Sequence, residues 1–422
     1  MQKKVVLYLI MMIVLTFMVG YSIDILGNVS VKNIEDSSYL EIKEELMDKN
    51  TKIPDMEKEI DLLKEKIKTM TLEEKIGQML IVGFEGEHID NNIKQMIEDH
   101  HVGGVILFSR NVRDSNQLLK LINSLKDINT KNNIPLFLSV DEEGGRVSRM
   151  PEELTSLPSG RKIGKRNDEN LAYQIGSIIG KEIKAFGFNM NFAPVLDIDS
   201  NPQNPVIGDR SFGDNKEIVT SLGIKAMNGL KSQEVISVVK HFPGHGDTSV
   251  DSHIGLPKVD KDLNELRELE LYPFEMAIAN DVDAVMVAHI IFNEIDSQNP
   301  ATLSKIIIRD LLRKELTFDG VVITDDMTMG AIMENYDIGD AAVRSVKAGS
   351  DILLISHGYD NQAKVLKDLK NAVENKIISI DRIDESVYRI LRLKEKYNLR
   401  DEKNDTVNVD TINDEIRNSI LR

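Results

Sequence analysis

Between Lys240 and His253 the chain reads KHFPGHGDTSVDSH, fourteen residues that hold three histidines, two aspartates and a lysine. Groups this dense can transfer protons, ligate a metal or grip a polar ligand. The apolar run Val235–Val239 comes just before and reads as a buried strand. A strand that ends in clustered titratable groups makes a poor core and a good active site. Asp251-Ser252-His253 suggests a dyad in which the carboxylate orients the imidazole and supports its cation. An imidazole with its ordinary pKa of about 6.5 suits proton transfer near neutrality. The competing reading of His253 is a surface-loop histidine without a role. His241 and His245 are four apart and on a helix would share one face, as metal ligands do. Pro243, Gly244 and Gly246 oppose a helix there, so no metal is expected, although three histidines and two aspartates could still assemble a zinc site.

A second carboxylate stands at the end of another apolar run, GVVITDD. Asp325 there is the best candidate for a nucleophile that attacks the anomeric carbon of a sugar and forms a covalent glycosyl-enzyme intermediate. Its alternative role is to cap the next helix, with Asp326 competing for that task. The remaining runs also end in polar groups: Asp141, Glu142, Arg146 and Arg149; Asp197, Asp199, Asp209 and Arg210; Lys240 and His241; His289; and His357. A ring of Asp, Arg, Lys and His suits a polyhydroxylated ligand, because carboxylates accept from sugar hydroxyls while Arg and Lys donate to oxygen. Neither a GxxxxGK phosphate cradle nor a GxSxG elbow is present. No cofactor is expected.

Eight apolar runs supply these ends: Met79–Gly83, Gly104–Phe108, Leu136–Val140, Met190–Ala193, Ser237–His241, Ala284–Ala288, Val321–Thr324 and Ile352–Ile355. They are apolar on both faces, as parallel strands covered by helices are. Between them lie amphipathic stretches at Asn116–Asn129, Glu169–Phe186, Lys216–Ser232 and Leu263–Ala279, and Arg382–Tyr397 closes the series. Eight strand–helix repeats predict an α/β fold, a (β/α)₈ TIM-type barrel over residues 70–400. A doubly wound open sheet is the rival. Residues 401–422 read as a polar tail.

The net charge of −17 argues against nucleic acid as a partner. The absence of cysteine excludes disulfides, thiolate metal sites and a cysteine nucleophile. At the N-terminus, Lys3 and Lys4 precede an apolar run from Val5 to Gly20, so residues 1–23 read as a signal peptide or an uncleaved membrane anchor. The run is short for a span, which favours a signal; Gly20 and Ser22 make a poor cleavage site, which favours an anchor. Either way the bulk of the chain is expected outside the cytoplasm, secreted or anchored to the outer face of the cytoplasmic membrane. Residues 24–69 read as a polar linker, with Ile53, Met56, Ile60, Leu63 and Ile67 at helical spacing.

KHFPGHGDTSVDSH resembles the diagnostic loop of the β-N-acetylglucosaminidase branch of glycoside hydrolase family 3. MTLEEKIGQMLIVGF, DEEGGRVSRM, NFAPVLDI, NPVIGDRSF, VMVAHI, PATLS and GVVITDDMTMGAI are similar to successive blocks of that family, in order, from Met70 to Tyr397. The resemblance implies Asp325 as nucleophile, His253 as general acid/base and Asp251 as its partner. It implies that Asp141, Arg149, Arg210, Lys240 and His241 hold the terminal sugar, and it places His289 in a matching block. The implied activity is a retaining exo-β-N-acetylglucosaminidase, a monomer acting on muropeptides or other amino-sugar oligosaccharides. A phosphorylase with the same chemistry and a non-catalytic sugar-binding barrel are the alternatives. Two departures stand out. Glu142 occupies a position where the family more often has Gln. No second α/β domain is expected after the barrel, a domain that in other branches contributes catalytic residues.

Overall fold

The computed structural model describes residues 62–420, apart from 250, 253 and 254. Residues 1–61, and with them the signal or anchor segment and Ile53, Met56 and Ile60, lie outside the described residues; so does His253. Leu63 and Ile67, the last positions of that amphipathic pattern, are helical and buried. Among the described residues no helix is long and apolar enough to cross a membrane.

Ten strands follow in chain order: β1 Leu80–Val82, β2 Gly104–Leu107, β3 Phe137–Val140, β4 Met190–Asn191, β5 Ile236–Phe242, β6 Lys258–Val259, β7 Ala284–Val287, β8 Ile291–Phe292, β9 Val321–Asp326 and β10 Ile352–Ile355. Eight of them close into a barrel in the order β1-β10-β9-β7-β5-β4-β3-β2, every pair parallel. All eight expected runs are therefore barrel strands, and the open sheet is excluded. The strands are apolar on both faces because one face fills the barrel and the other meets the helical ring. β6 and β8 form a separate parallel pair that ties the chain after β5 to the chain after β7.

The helices begin where the sequence places acceptors for their free amide donors. Asp168 caps Glu169–Phe186, Asn215 caps Lys216–Lys231, and Thr71 with Glu74 forms a reciprocal capping box before Leu72–Gln78. The helices Glu169–Phe186 and Lys216–Lys231 pack closely at Gly176 and Gly229. A Cβ on Gly176 would fall 2.2 Å from the Ala226 carbonyl oxygen, and one on Gly229 would fall 2.3 Å from that of Tyr173. Any side chain at either position would push the pair apart.

Two expectations differ from the structure. The stretch Leu263–Ala279 is two helices, Leu263–Glu268 and Tyr272–Ala279, parted at the buried Leu271. Pro273 has no N–H to donate and serves well only in a first helical turn, so the second helix restarts there. The polar tail carries a helix, Val409–Ile420, whose Ile416 is buried in the main core. Asn413 fixes it, accepting from Thr155 N at 2.6 Å and donating to Glu153 O at 2.9 Å.

Candidate active site

The carboxyl ends of the barrel strands surround a cavity of about 490 Å³. Its wall includes Asp141, Arg149, Arg210, Lys240, His241, Asp251 and Asp325, residues drawn from across the sequence. His289 is elsewhere. It is fully buried behind the wall, its Nδ1 2.5 Å from Thr302 Oγ1 and its Nε2 donating to the Asp326 carbonyl at 3.0 Å. It therefore braces the end of β9 and does not line the cavity.

One side of the cavity rests on an ion cluster centred on Glu143. Arg210 donates to both oxygens of Glu143, at 2.9 and 2.7 Å. Lys240 Nζ lies 2.7 Å from Glu143 and 2.6 Å from Asp141. Burial opposes the charge on Glu143, but Arg210 and Lys240 outweigh it and hold the carboxyl far below the usual range. Lys240 is likewise driven down by burial and raised overall by Asp141 and Glu143. The result is a fixed cationic wall, with Asp141 the more exposed acid at its edge. Sequence reading passed over Glu143. Three acidic residues in a row, followed by Gly144 and Gly145, give no sign of which one turns inward. The two glycines have φ values of 79° and 60°, a conformation side chains resist, and this turn sets the direction of Glu143.

Asp197 organises the histidines. It is fully buried and accepts from His241 Nδ1 at 2.6 Å, His241 N at 3.2 Å and His245 N at 2.7 Å. Burial works against its ionisation, but His241, His245 and these bonds keep its pKa below the ordinary value. His245, buried beside His241, is pushed down to about 4 and is neutral at physiological pH. Its two ring nitrogens meet Thr248 Oγ1 at 2.9 Å and Ser252 Oγ at 3.1 Å. Ser252 O also accepts from Ala331 N at 3.1 Å, which ties the Asp251 segment to the chain just beyond β9. The spacing of His241 and His245 thus serves hydrogen bonding to Asp197 and to the loop. Among the described residues no group of three or more acidic or histidine side chains is arranged to hold a metal ion.

At the end of β9 the two aspartates divide. Asp326 is consumed by structure: its Oδ1 accepts from Thr328 N at 2.9 Å, Thr328 Oγ1 at 2.7 Å and Ser356 N at 3.1 Å. Asp325 Oδ1 accepts from the Asp326 amide at 2.8 Å, and its carboxylate lines the cavity. Neither aspartate caps the next helix, Gly330–Met333, which starts after Met329 without a side-chain cap; Asp326 instead ties the turn at Thr328 to the end of β10.

Glu142 lies off the cavity, buried, with Oε2 accepting from Arg149 N at 2.8 Å. Burial pushes its pKa up to about 7. The second buried carboxyl beside it, Glu182, is raised by burial and by Glu142, and its Oε2 has no hydrogen-bond partner among the described residues. The charge this departure adds is therefore largely suppressed below neutrality. Because the folded pKa lies above the unfolded value of 4.5, the folded state binds the extra proton. Glu142 consequently lowers stability as pH rises from about 4.5 to about 7 and by a constant amount above that. Glu142→Gln, which keeps the acceptor for Arg149 N, is expected to raise stability at pH 8 by on the order of 1–3 kcal/mol and to change little at pH 4.5. Urea unfolding at the two pH values measures this; an equal gain at both would detach the effect from ionisation.

A closed parallel barrel with a cavity of carboxylates and cations at its strand ends is the architecture of a barrel enzyme acting on a polar substrate. The chain belongs to glycoside hydrolase family 3: the model of the glycosyl hydrolase family 3 N terminal domain matches residues 71–393. It is 37% identical over 328 residues to beta-hexosaminidase A of Pseudoalteromonas piscicida, covering 72% of this chain and 55% of that protein, so it spans about half that relative's length. It is 34% identical over 325 residues to a beta-hexosaminidase of Nitrosomonas eutropha, covering 75% of this chain and 92% of the relative. Among solved structures, a family 3 beta-N-acetylglucosaminidase from a Paenibacillus species superimposes with a TM-score of 0.79 at 43% identity, over 83% of this chain and 68% of the other.

Proposed function

We propose that this protein is a retaining exo-β-N-acetylglucosaminidase that removes terminal β-linked N-acetylglucosamine from amino-sugar oligosaccharides, peptidoglycan fragments among them. The observation that carries the reading is that Asp325 and Asp251 line one cavity with the cationic wall of Lys240 and Arg210, while Asp326, also on that wall, has its Oδ1 held by Thr328 and Ser356. The activities for which the relatives are named agree with it. The Lys3–Lys4 pair and the apolar run from Val5 to Gly20 support an exported protein, secreted or membrane-anchored.

In this reading the sugar's hydroxyls bond to Asp141, Lys240, Arg210 and His241, with Arg149 at the rim. Asp325 attacks the anomeric carbon while His253 protonates the departing oxygen. The glycosyl–aspartate ester is then opened by water, with His253 taking its proton. Asp251, two residues before His253, supports the imidazolium. Stereochemistry is retained because two inversions occur at one carbon.

His253→Ala is expected to separate the two steps. With a good leaving group the first step needs little acid, so glycosylation stays fast and the intermediate accumulates. With a poor leaving group turnover should fall by roughly 10²- to 10⁴-fold. Pre-steady-state kinetics on aryl N-acetylglucosaminides of graded leaving-group pKa reads both effects. Equal losses across the series, with no burst, would remove His253 from the acid/base role. NMR of the first-formed product tests the activity itself: release of the α-anomer first, or of no N-acetylglucosamine at all, would overturn it. Omitting or adding phosphate in the same tube distinguishes hydrolysis from phosphorolysis.

A further inference from the structure

The opposite end of the barrel, where the chain enters β10, carries a second polar feature. A groove of about 710 Å³ lies between the helix Ile306–Glu315, the turn at Gly349 and the start of the helix Ile380–Lys396. Seven Lys and Arg side chains line it against two carboxylates, Asp381 and Glu385. In a chain of net charge −17 this is a local reversal of sign.

The helix Ile306–Glu315 is wider than an α-helix; its wide winding is seen at its end, where Leu316 N bonds to the Leu311 carbonyl, five residues back, at 2.9 Å. Such winding is uncommon and is often found at functional sites. At that winding, positions four apart stay close to one row, so Lys305, Arg309 and Arg313 form a cationic line along the groove. Gly349 closes the other side with φ 129°; a Cβ there would lie 2.9 Å from Ile308 Cγ2, so the turn approaches the helix this closely only as glycine.

The cations fall into two groups. Arg313, Arg382 and Arg389 are anchored on the buried Asp351, Arg382 and Arg389 at 3.3 and 3.4 Å, and the latter two also reach Glu385. Lys314 is paired with Asp310 at 2.6 Å. Lys305, Arg309 and Lys347 are exposed and make no ion pair among the described residues. Of the two groove carboxylates, Asp381 makes no ion pair among the described residues.

We propose that this groove binds a linear phosphate-bearing polyanion, held by Lys305, Arg309 and Lys347. Charge complementarity selects an anion, and the guanidinium fork and ammonium points match phosphate oxygens. The row from Lys305 to Arg313 extends on the order of 10 Å along its helix, more than a single phosphate can touch at once. The site is separate from the catalytic cavity and does not depend on the proposed activity.

Inorganic polyphosphate, orthophosphate, polyglutamate and single-stranded DNA are the probes, titrated calorimetrically into the full chain at several salt concentrations. Polyphosphate is expected to bind, with affinity falling as salt rises. The triple variant K305E/R309E/K347E, its thermal midpoint checked to be unchanged, should weaken binding at least about tenfold and flatten the salt slope by roughly two. No polyphosphate binding at low salt, or equal binding by the variant, overturns the site. Orthophosphate binding as tightly as the polymer overturns the extended ligand. Equal affinity for polyglutamate overturns phosphate selection; tighter binding of DNA, itself a linear phosphate polymer, supports the site and narrows its ligand to a nucleic-acid backbone.

Discussion

Asp325→Asn is expected to lower turnover of an aryl N-acetylglucosaminide by at least about 10⁴-fold, a loss of roughly 5.5 kcal/mol of transition-state stabilisation. The amide is nearly isosteric and can still accept from the Asp326 amide, so the end of β9 keeps its shape. What it loses is the ability to form the covalent ester. Asp326→Asn is the control. Its Oδ1 remains an acceptor for Thr328 and Ser356, so most of its structural function survives. Activity that collapses in Asp326→Asn and persists in Asp325→Asn would move the nucleophile by one residue. A trapped adduct on Asp325 with a slow fluorosugar, seen by peptide mass, would fix the assignment directly.

The second large effect belongs to Glu143. Glu143→Ala is expected to cost about 3–5 kcal/mol of stability, because it leaves Arg210 without its two carboxylate bonds and Lys240 with Asp141 alone. Affinity for the sugar should fall as well, since both cations line the cavity and would no longer be held in place. The pH dependence identifies the cause. Glu143 is more acidic in the folded state than the ordinary 4.5, so its contribution is complete above that value and is lost as pH falls below it. Wild type and variant should therefore converge as pH drops below about 4.5, provided both remain folded there. A difference constant from pH 7 to pH 4 would mean that Glu143 acts through packing and not through charge.

The local signals in this chain were strong where one periodicity decided the outcome. Eight apolar runs of strand length, with amphipathic helices between them, had few ways to bury both faces, and the closed parallel barrel is one that does so. The helix Glu169–Phe186 matches its expected bounds because Asp168 caps one end and Gly187 terminates the other. The expected helix Leu263–Ala279 broke for a reason also written locally, at Pro273. Reading 401–422 as a polar tail passed over Val409, Ile412, Ile416 and Ile420 at helical spacing; that Ile416 becomes core was not legible, because that depends on a distant surface to receive it.

By itself the sequence determined that polar residues would gather at one end of a barrel, since six of the eight apolar runs end in them and parallel strands share a direction. It also named the candidates Asp325, Asp251, Lys240 and His241. Tertiary structure decided how those candidates divide their tasks. Asp325 and Asp326 are adjacent, chemically identical and both on the cavity wall, and only the donors from Thr328 and Ser356 tie up Oδ1 of Asp326 in structure. Glu143 and Asp197 became the supports of the site because burial makes a carboxylate depend on its partners. Those partners, Arg210, Lys240, His241 and His245, lie 44 to 97 residues away in sequence. A charge can be placed in the interior only where the opposite charge arrives from another strand, and the barrel's closure determines that meeting.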